Sequence, residues 1–369
     1  MSKGFQFISG NGIQNMTATT ANTHTAAHRT IGRWLLLCAA MVLAMVVIGG
    51  ITRLTGSGLS IVEWRPVFGF LPPLSEAAWQ RVFDLYRATP QYLEVNAGMT
   101  LPEFRGIFWW EYVHRLWGRV IGLVFFLPFL WFILRGHIRG LFAWKLLGIF
   151  ALGGAQGALG WYMVKSGLVD VPEVSQYRLA AHLTLAFLIY GLLVWTALSV
   201  LIPNPDAISD TRHRRNRNLA ITALSLVSIT VVSGAFVAGT DAGLIFNTFP
   251  LMDGQLVPPG YFDSPTAPFE DHATIQFHHR VLALVSFALI VWVWWQSRWL
   301  ALVPRARRAA NVLLAAALLQ VTLGVSTLLL VVPVHLAACH QAGAMILFTA
   351  TLWFVFELRP PRSPVFSPQ

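Results

Sequence analysis

The sequence predicts an all-α polytopic membrane protein: eight transmembrane helices forming two four-helix bundles related by a pseudo-twofold axis. Three observations predict it. The 369 residues are 56% hydrophobic and only 11% charged, far more apolar than a soluble domain. Eight stretches are long enough to cross a bilayer, which takes about 20 apolar residues of helix. Short motifs of the first half also recur, in the same order, in the second.

Residues 1–33 read as a polar, mobile tail without the basic-then-apolar layout of a cleaved signal. The spans follow near 34–51, 109–134, 144–164, 179–202, 219–238, 275–296, 309–331 and 336–356. The connection before the eighth is short, around Val332-Pro333-Val334-His335. Residues 34–202 make the first bundle, 203–218 a linker, 219–358 the second bundle and 359–369 a second tail.

Basic residues set the orientation. One side receives Lys3, Arg29 and Arg33; Arg135, Arg139 and Lys145; Arg212, Arg214, Arg215 and Arg217; Arg298, Arg305, Arg307 and Arg308; and Arg359 and Arg362. The loop 239–274 carries Asp241, Asp253, Asp263, Glu270 and Asp271, with neither Lys nor Arg. Both termini are therefore expected in the cytoplasm, with loops 52–108, 165–178 and 239–274 outside, in a bacterial inner membrane. The net charge of +10 does not indicate nucleic acid, because the arginines lie in short runs between apolar segments. The two cysteines, Cys38 and Cys339, sit inside apolar segments and imply neither a disulfide framework nor a zinc site.

The repeat is explicit. "GGITRLTGSGLSI" (49–61) resembles "SGAFVAGTDAGLIF" (233–246), and "EYVHR" (111–115) resembles "QFHHR" (276–280). "QGALG" (156–160) resembles "QVTLG" (320–324), and "LAAH" (179–182) resembles "LAACH" (336–340). Four helices return the chain to its starting side, so the repeat is parallel and its axis runs along the membrane normal. Gly118 and Gly122, spaced as Gly-x-x-x-Gly, are expected to let helices approach closely.

His114, His182, His279 and His340 fall on the second, fourth, sixth and eighth spans, each expected within about two turns of the helix start. They share one depth, and each half supplies a pair from two helices. A lone membrane histidine usually just bonds a neighbouring helix. Four at matched depth point to ligation of a metal or heme. Zinc fits less well, since each half lacks a further pair of ligands. Axial imidazoles on facing helices suit heme.

His278 rivals His279 as a ligand, although the shared Glu/Gln-x-x-His-Arg pattern selects His279. His335 could line the site; His24, His28, His137, His213 and His272 read as solvated. Arg115 and Arg280 follow the candidate ligands and either snorkel to headgroups or pair with propionates. Arg119, one turn deeper, is expected to have a buried partner. Glu111 lies at i to i+3 from His114 and is matched by Gln276 in the other half. A half-buried carboxylate can exchange protons where an amide cannot, so the first half is assigned the chemistry and the second a permanent cofactor. Charge complementarity at a helix start is the alternative for Glu111.

"TRLTGSGLSIVEWRP", "WWEYVHRLWGR", "DAGLIFNTFPLMDGQLVP", "QFHHRVLA" and "VHLAACHQAGA" together resemble heme A synthase of the proteobacterial and mitochondrial type, over about residues 30–358. The resemblance implies an oxidoreductase that converts the C8 methyl of heme O to a formyl group, giving heme A for cytochrome oxidase. It implies Glu111, His114 and His182 as the catalytic set, the two histidines lying around the substrate heme iron. It implies His279 and His340 as ligands of a resident heme b. Two successive oxidations are implied, through an alcohol and a gem-diol that loses water, with oxygen from water and electrons leaving by way of heme b. Glu111 would then accept a proton or stabilise a developing cation at the methyl. The cysteine pair that some bacterial members carry in the first outer loop is missing between 52 and 108. Heme O and the bilayer are the implied partners. The electron acceptor stays open, a quinone being one candidate, as do contacts with heme O synthase or a second copy of the chain. Two other classes remain at this point. A di-heme b-type electron carrier or quinone reductase would hold two permanent hemes of equal standing. A repeat-built transporter would place its polar residues at the midplane.

Overall fold

The computed structural model describes residues 11–63, 70–167, 174–202, 211–261 and 266–360, without the side chains of 11–26. Lys3, Asp263, Arg362 and residues 203–210 of the expected linker lie outside the described residues. The described chain is almost wholly helical: α1 (Asn11–Leu54), α2 (Glu76–Arg87), α3 (Leu101–Leu134), α4 (Gly140–Gly167), α5 (Gln176–Leu201), α6 (Thr211–Gly239), α7 (Ala267–Glu270), α8 (His272–Ser297), α9 (Pro304–Leu329) and α10 (Val334–Glu357). Among the described residues the only β-type pairing is one isolated bridge, Met252 to Gln255. Eight of the helices, all but α2 and α7, are long and apolar enough to cross a membrane. The protein is a multi-pass membrane protein.

Helix α6 is described from Thr211, so residues 211–218 of the expected linker are helical, and two further boundaries differ from the sequence reading. Helix α1 is described from Asn11, inside the expected tail, and residues 13–31 contain no Gly or Pro to break it; the span itself is Ala27–Leu54. Helix α3 starts at Leu101 rather than 109. Thr100 caps it: the Glu103 carboxylate accepts from the Thr100 backbone N–H at 2.8 Å, and Pro102 sits in the first turn. Glu111 therefore lies in mid-helix, not at a helix start, and His114 lies more than three turns in.

Helices α1, α5, α6 and α10 meet at the centre, with α3 and α4 on one flank and α8 and α9 on the other. Among the eight long helices the neighbour relations recur in matched form: α1–α3 with α6–α8, α3–α4 with α8–α9, α4–α5 with α9–α10, α1–α5 with α6–α10, and α1–α10 with α5–α6, while α5–α10 maps onto itself. That pattern is compatible with two pseudo-twofold-related bundles. The central seam is apolar: Phe187 meets Phe348 edge-on at 5.4 Å, and Trp195 meets Phe356 at 5.2 Å. Tyr190 and Thr349, both on the seam, share a hydrogen bond of 2.6 Å. Gly118 makes the expected close approach, toward Met45 of α1, but a Cβ on Gly122 would meet nothing within 4 Å.

The connections set the ends. Between α9 and α10 the chain turns within residues 330–333, with Val331 at φ 60° and Val332 at φ 53°. A β-branched residue is strained there, yet the turn closes on Thr327, whose carbonyl accepts from the Val332 N–H at 2.8 Å. The long first loop is a small folded unit. Helix α2, capped by Ser75, buries Trp79, Phe83 and Tyr86 against Phe104 and Phe108 of the outward extension of α3. This unit has no counterpart in the second half among the described residues.

Candidate functional site

The helices alternate in direction, so α1, α4, α6 and α9 end where α3, α5, α8 and α10 begin. At that end, each of the four histidines leans on a glycine of a neighbouring helix. A Cβ on Gly49 of α1 would lie 3.3 Å from His114 Nε2, and one on Gly160 of α4 would lie 3.0 Å from His182 Cε1. A Cβ on Gly234 of α6 would lie 3.1 Å from His279 Cε1, and one on Gly324 of α9 would lie 2.8 Å from His340 Cε1. Gly49 and Gly234 occupy equivalent places in the repeat, as do Gly160 and Gly324. Each glycine falls within about two turns of its helix's C-terminus. The common level of the histidines thus rests on these seats, because His114 is deep within α3.

The second-half pair faces across a gap. The His279 and His340 ring centroids are 6.5 Å apart, with planes at 88°. A ring nitrogen sits about 1.2 Å from the centroid and bonds a transition metal at about 2.0 Å, so two imidazoles in line across one metal bring their centroids to roughly 6.4 Å. The spacing fits a single six-coordinate iron with two axial imidazoles. Their Nδ1 atoms are already engaged: His279 with Ser233 Oγ at 3.1 Å, His340 with Gln320 Nε2 at 3.2 Å. A partner that accepts from Nδ1–H, as Ser233 Oγ can at His279, orients the ring and leaves Nε2 for a metal; at His340 the same tautomer requires the Gln320 amide turned to present Oε1, which has no hydrogen-bond partner. His278 turns away, bonded to Tyr261 at 2.9 Å in the loop before α8.

In the first half, His114 and His182 lean on Gly49 and Gly160, the equivalent seats. The Gln156 amide donates to the His182 carbonyl at 3.1 Å, as Gln320 does to the His340 carbonyl at 3.1 Å. His182 Nδ1 is buried without a hydrogen-bond partner. Among the described residues no three His, Cys, Asp or Glu side chains converge as a closed zinc site requires.

Glu111 is 2% exposed, more buried than the half-buried position expected for it. One carboxylate oxygen accepts from Ser60 Oγ at 2.7 Å and from the Ile61 N–H at 2.7 Å. The other is paired with Arg115. Arg115 also donates to the carbonyls of Ile61 at 2.8 Å and Glu63 at 3.3 Å. Arg280 does the same in the second half, donating to Phe246 O at 2.6 Å, Thr248 O at 2.8 Å and Gln276 Oε1 at 3.0 Å. Both arginines thus strap the loop that follows the preceding helix, a role the sequence reading missed. Arg119 lies 5.3 Å from the Phe70 ring centre. His335 is exposed at the start of α10, and His28, His137 and His272 are exposed.

Residues 32–352 match the model of the COX15-CtaA family, cytochrome oxidase assembly proteins. The chain belongs to that family. Among similar proteins, the heme A synthase of Nitrosospira multiformis is 53% identical over 339 residues, 90% of this chain and 95% of that protein. The heme A synthase of Paramagnetospirillum magneticum is 51% identical over 90% of this chain and 94% of its own. The Arabidopsis thaliana protein "Heme A synthase COX15" is 46% identical over 91% of this chain and 76% of its own.

Proposed function

We propose that this family member is a heme A synthase, an oxidoreductase that turns the C8 methyl of heme O into a formyl group. The observation that carries the site assignment is the facing pair His279 and His340 at 6.5 Å, repeated as His114 and His182 on equivalent glycine seats. In this reading His279 and His340 hold a resident heme b, and His114 and His182 hold the substrate. Bound there, heme b supplies one-electron transfer toward an acceptor, for which a membrane quinone is a candidate. The net change is methyl plus water to aldehyde, releasing four electrons and four protons over two oxidations.

The chain's own groups do the rest. Ser233 and Gln320 hold the imidazoles of the second pair by Nδ1. Arg115 and Arg280 fasten the loops beside the two sites, and Glu111 is the buried carboxylate within reach of the first. Glu111 takes up a released proton or stabilises positive charge at the methyl. The basic loops, the inner membrane location and the cytoplasmic termini go together: a reporter active only outside the cytoplasm is expected to work when fused near Pro259 and stay silent near Arg215.

The test of function is expression in cells that make heme O and lack heme A. Extracted pigment containing heme A is the expected result. Bound heme b with no heme A formed would favour the electron carrier.

A further inference from the structure

Besides the Arg53–Asp241 ion pair about a turn past Gly49, a further polar contact among the described residues joins the halves beside the histidines. Gln341, the residue after His340 on α10, donates its side-chain amide to the Val46 carbonyl of α1 at 3.1 Å. Val46 lies three residues, about 4.5 Å of helix rise, before Gly49, the seat of His114. The contact depends on Gly50, because a Cβ there would collide with Gln341 Oε1. The repeat does not dictate this glycine: Ala235, with a Cβ and 1% exposed, stands at the equivalent place in α6. Nor does it dictate the amide, since Leu183 follows His182. The link therefore runs one way, from the second half into the first.

We propose that Gln341 is a positioning residue that fixes the His279–His340 pair relative to the His114–His182 pair, with Gly50 as its socket. This rests on the reading of the two pairs as heme sites. The backbone of His340 is held on one side by Gln320, which donates to its carbonyl at 3.1 Å, and on the other by the adjacent Gln341 anchored in α1. A disturbance at Gly50, in the first half, then reaches the ligand of the second.

The test compares Gly50→Ala, Gln341→Ala and the double variant in the purified full-length protein. The first readout is the low-spin electron paramagnetic resonance signature and content of heme b. Gly50→Ala is expected to shift the signature and lower heme b content by roughly tenfold, the usual scale for disturbed outer-shell support. Gln341→Ala alone is expected to shift the signature in the same direction, and the double variant to match Gln341→Ala rather than add the two losses, because both changes break one link. An unchanged heme b signal in Gly50→Ala or in Gln341→Ala, or full recovery of the wild-type signal in the double variant, overturns the proposal. The second readout needs no heme: thermal unfolding of the same variants. Non-additivity greater than about twofold in the unfolding equilibrium supports the link, and additivity overturns it. A wild-type protein without six-coordinate heme b would instead break the reading of the pairs and leave the unfolding cycle to decide the link.

Discussion

Glu111 and Gln276 occupy equivalent places in the two halves, each tied to an arginine one turn further on. Their surroundings differ in hydrogen-bonding sense. The first loop offers donors, Ser60 O–H and Ile61 N–H, to the free oxygen of Glu111. The second offers acceptors, and the Gln276 amide donates to the carbonyls of Ala242 at 2.8 Å and Phe246 at 3.3 Å. An acid fits the first socket and an amide the second on local grounds alone. The difference in residue type is thus not by itself a sign of chemistry. It is a sign that each loop is fastened to the helix after it by whichever group satisfies its backbone.

The largest expected effect separates those two meanings. Glu111→Gln removes the ionisable group and also sets an amide N–H₂ against donors. Ser60→Ala loosens the same loop and keeps the carboxylate. If Glu111 acts on the reaction, Glu111→Gln lowers heme A yield at least about 100-fold, the scale of a lost proton-transfer group, while Ser60→Ala lowers it by less than about tenfold. Equal losses, read by chromatography of extracted hemes, would make Glu111 a fastening only.

The next effect sharpens the comparison of the histidine seats. Gly324→Ala places a methyl 2.8 Å from His340 Cε1, and Gly160→Ala places one 3.0 Å from His182 Cε1. Gly324→Ala is expected to reduce retained heme b by about tenfold, and Gly160→Ala to spare heme b and weaken retention of heme O. Absorbance spectra of the purified variants, with heme extraction, check both.

The smallest effect concerns the straps. Arg115→Gln leaves the buried Glu111 without its charge partner and is expected to cost about 3 kcal/mol. Arg280→Gln leaves a neutral amide and is expected to cost about 1 kcal/mol. The lower unfolding temperature should belong to the Arg115 variant.

Much of this was legible in sequence. The eight spans follow from hydropathy, and matched spacing picks out His279, whose ring lies 6.5 Å from that of His340; its role as a ligand stays a proposal. The true start of α3 was written in Thr100-Pro102-Glu103, a capping box that a hydropathy reading passes over. Helix α2 was written in the spacing of Trp79, Phe83 and Tyr86. The "QGALG" and "QVTLG" echoes gave Gly160 and Gly324 without their purpose, because a seat is visible only once two helices are side by side. The repeated Glu/Gln-x-x-His-Arg pattern marked both arginines but not their straps: the loop partners are backbone carbonyls, which every residue carries, and only the path of the loop selects Ile61 and Glu63 or Phe246 and Thr248.

The most direct test of the division of labour is heme extraction from purified His340→Ala and His182→Ala proteins, each produced in cells that make heme O. The account predicts that His340→Ala loses heme b, and that His182→Ala keeps heme b while losing heme O and heme A. Loss of heme b from His182→Ala with retention in His340→Ala, or equal loss from both, would contradict it.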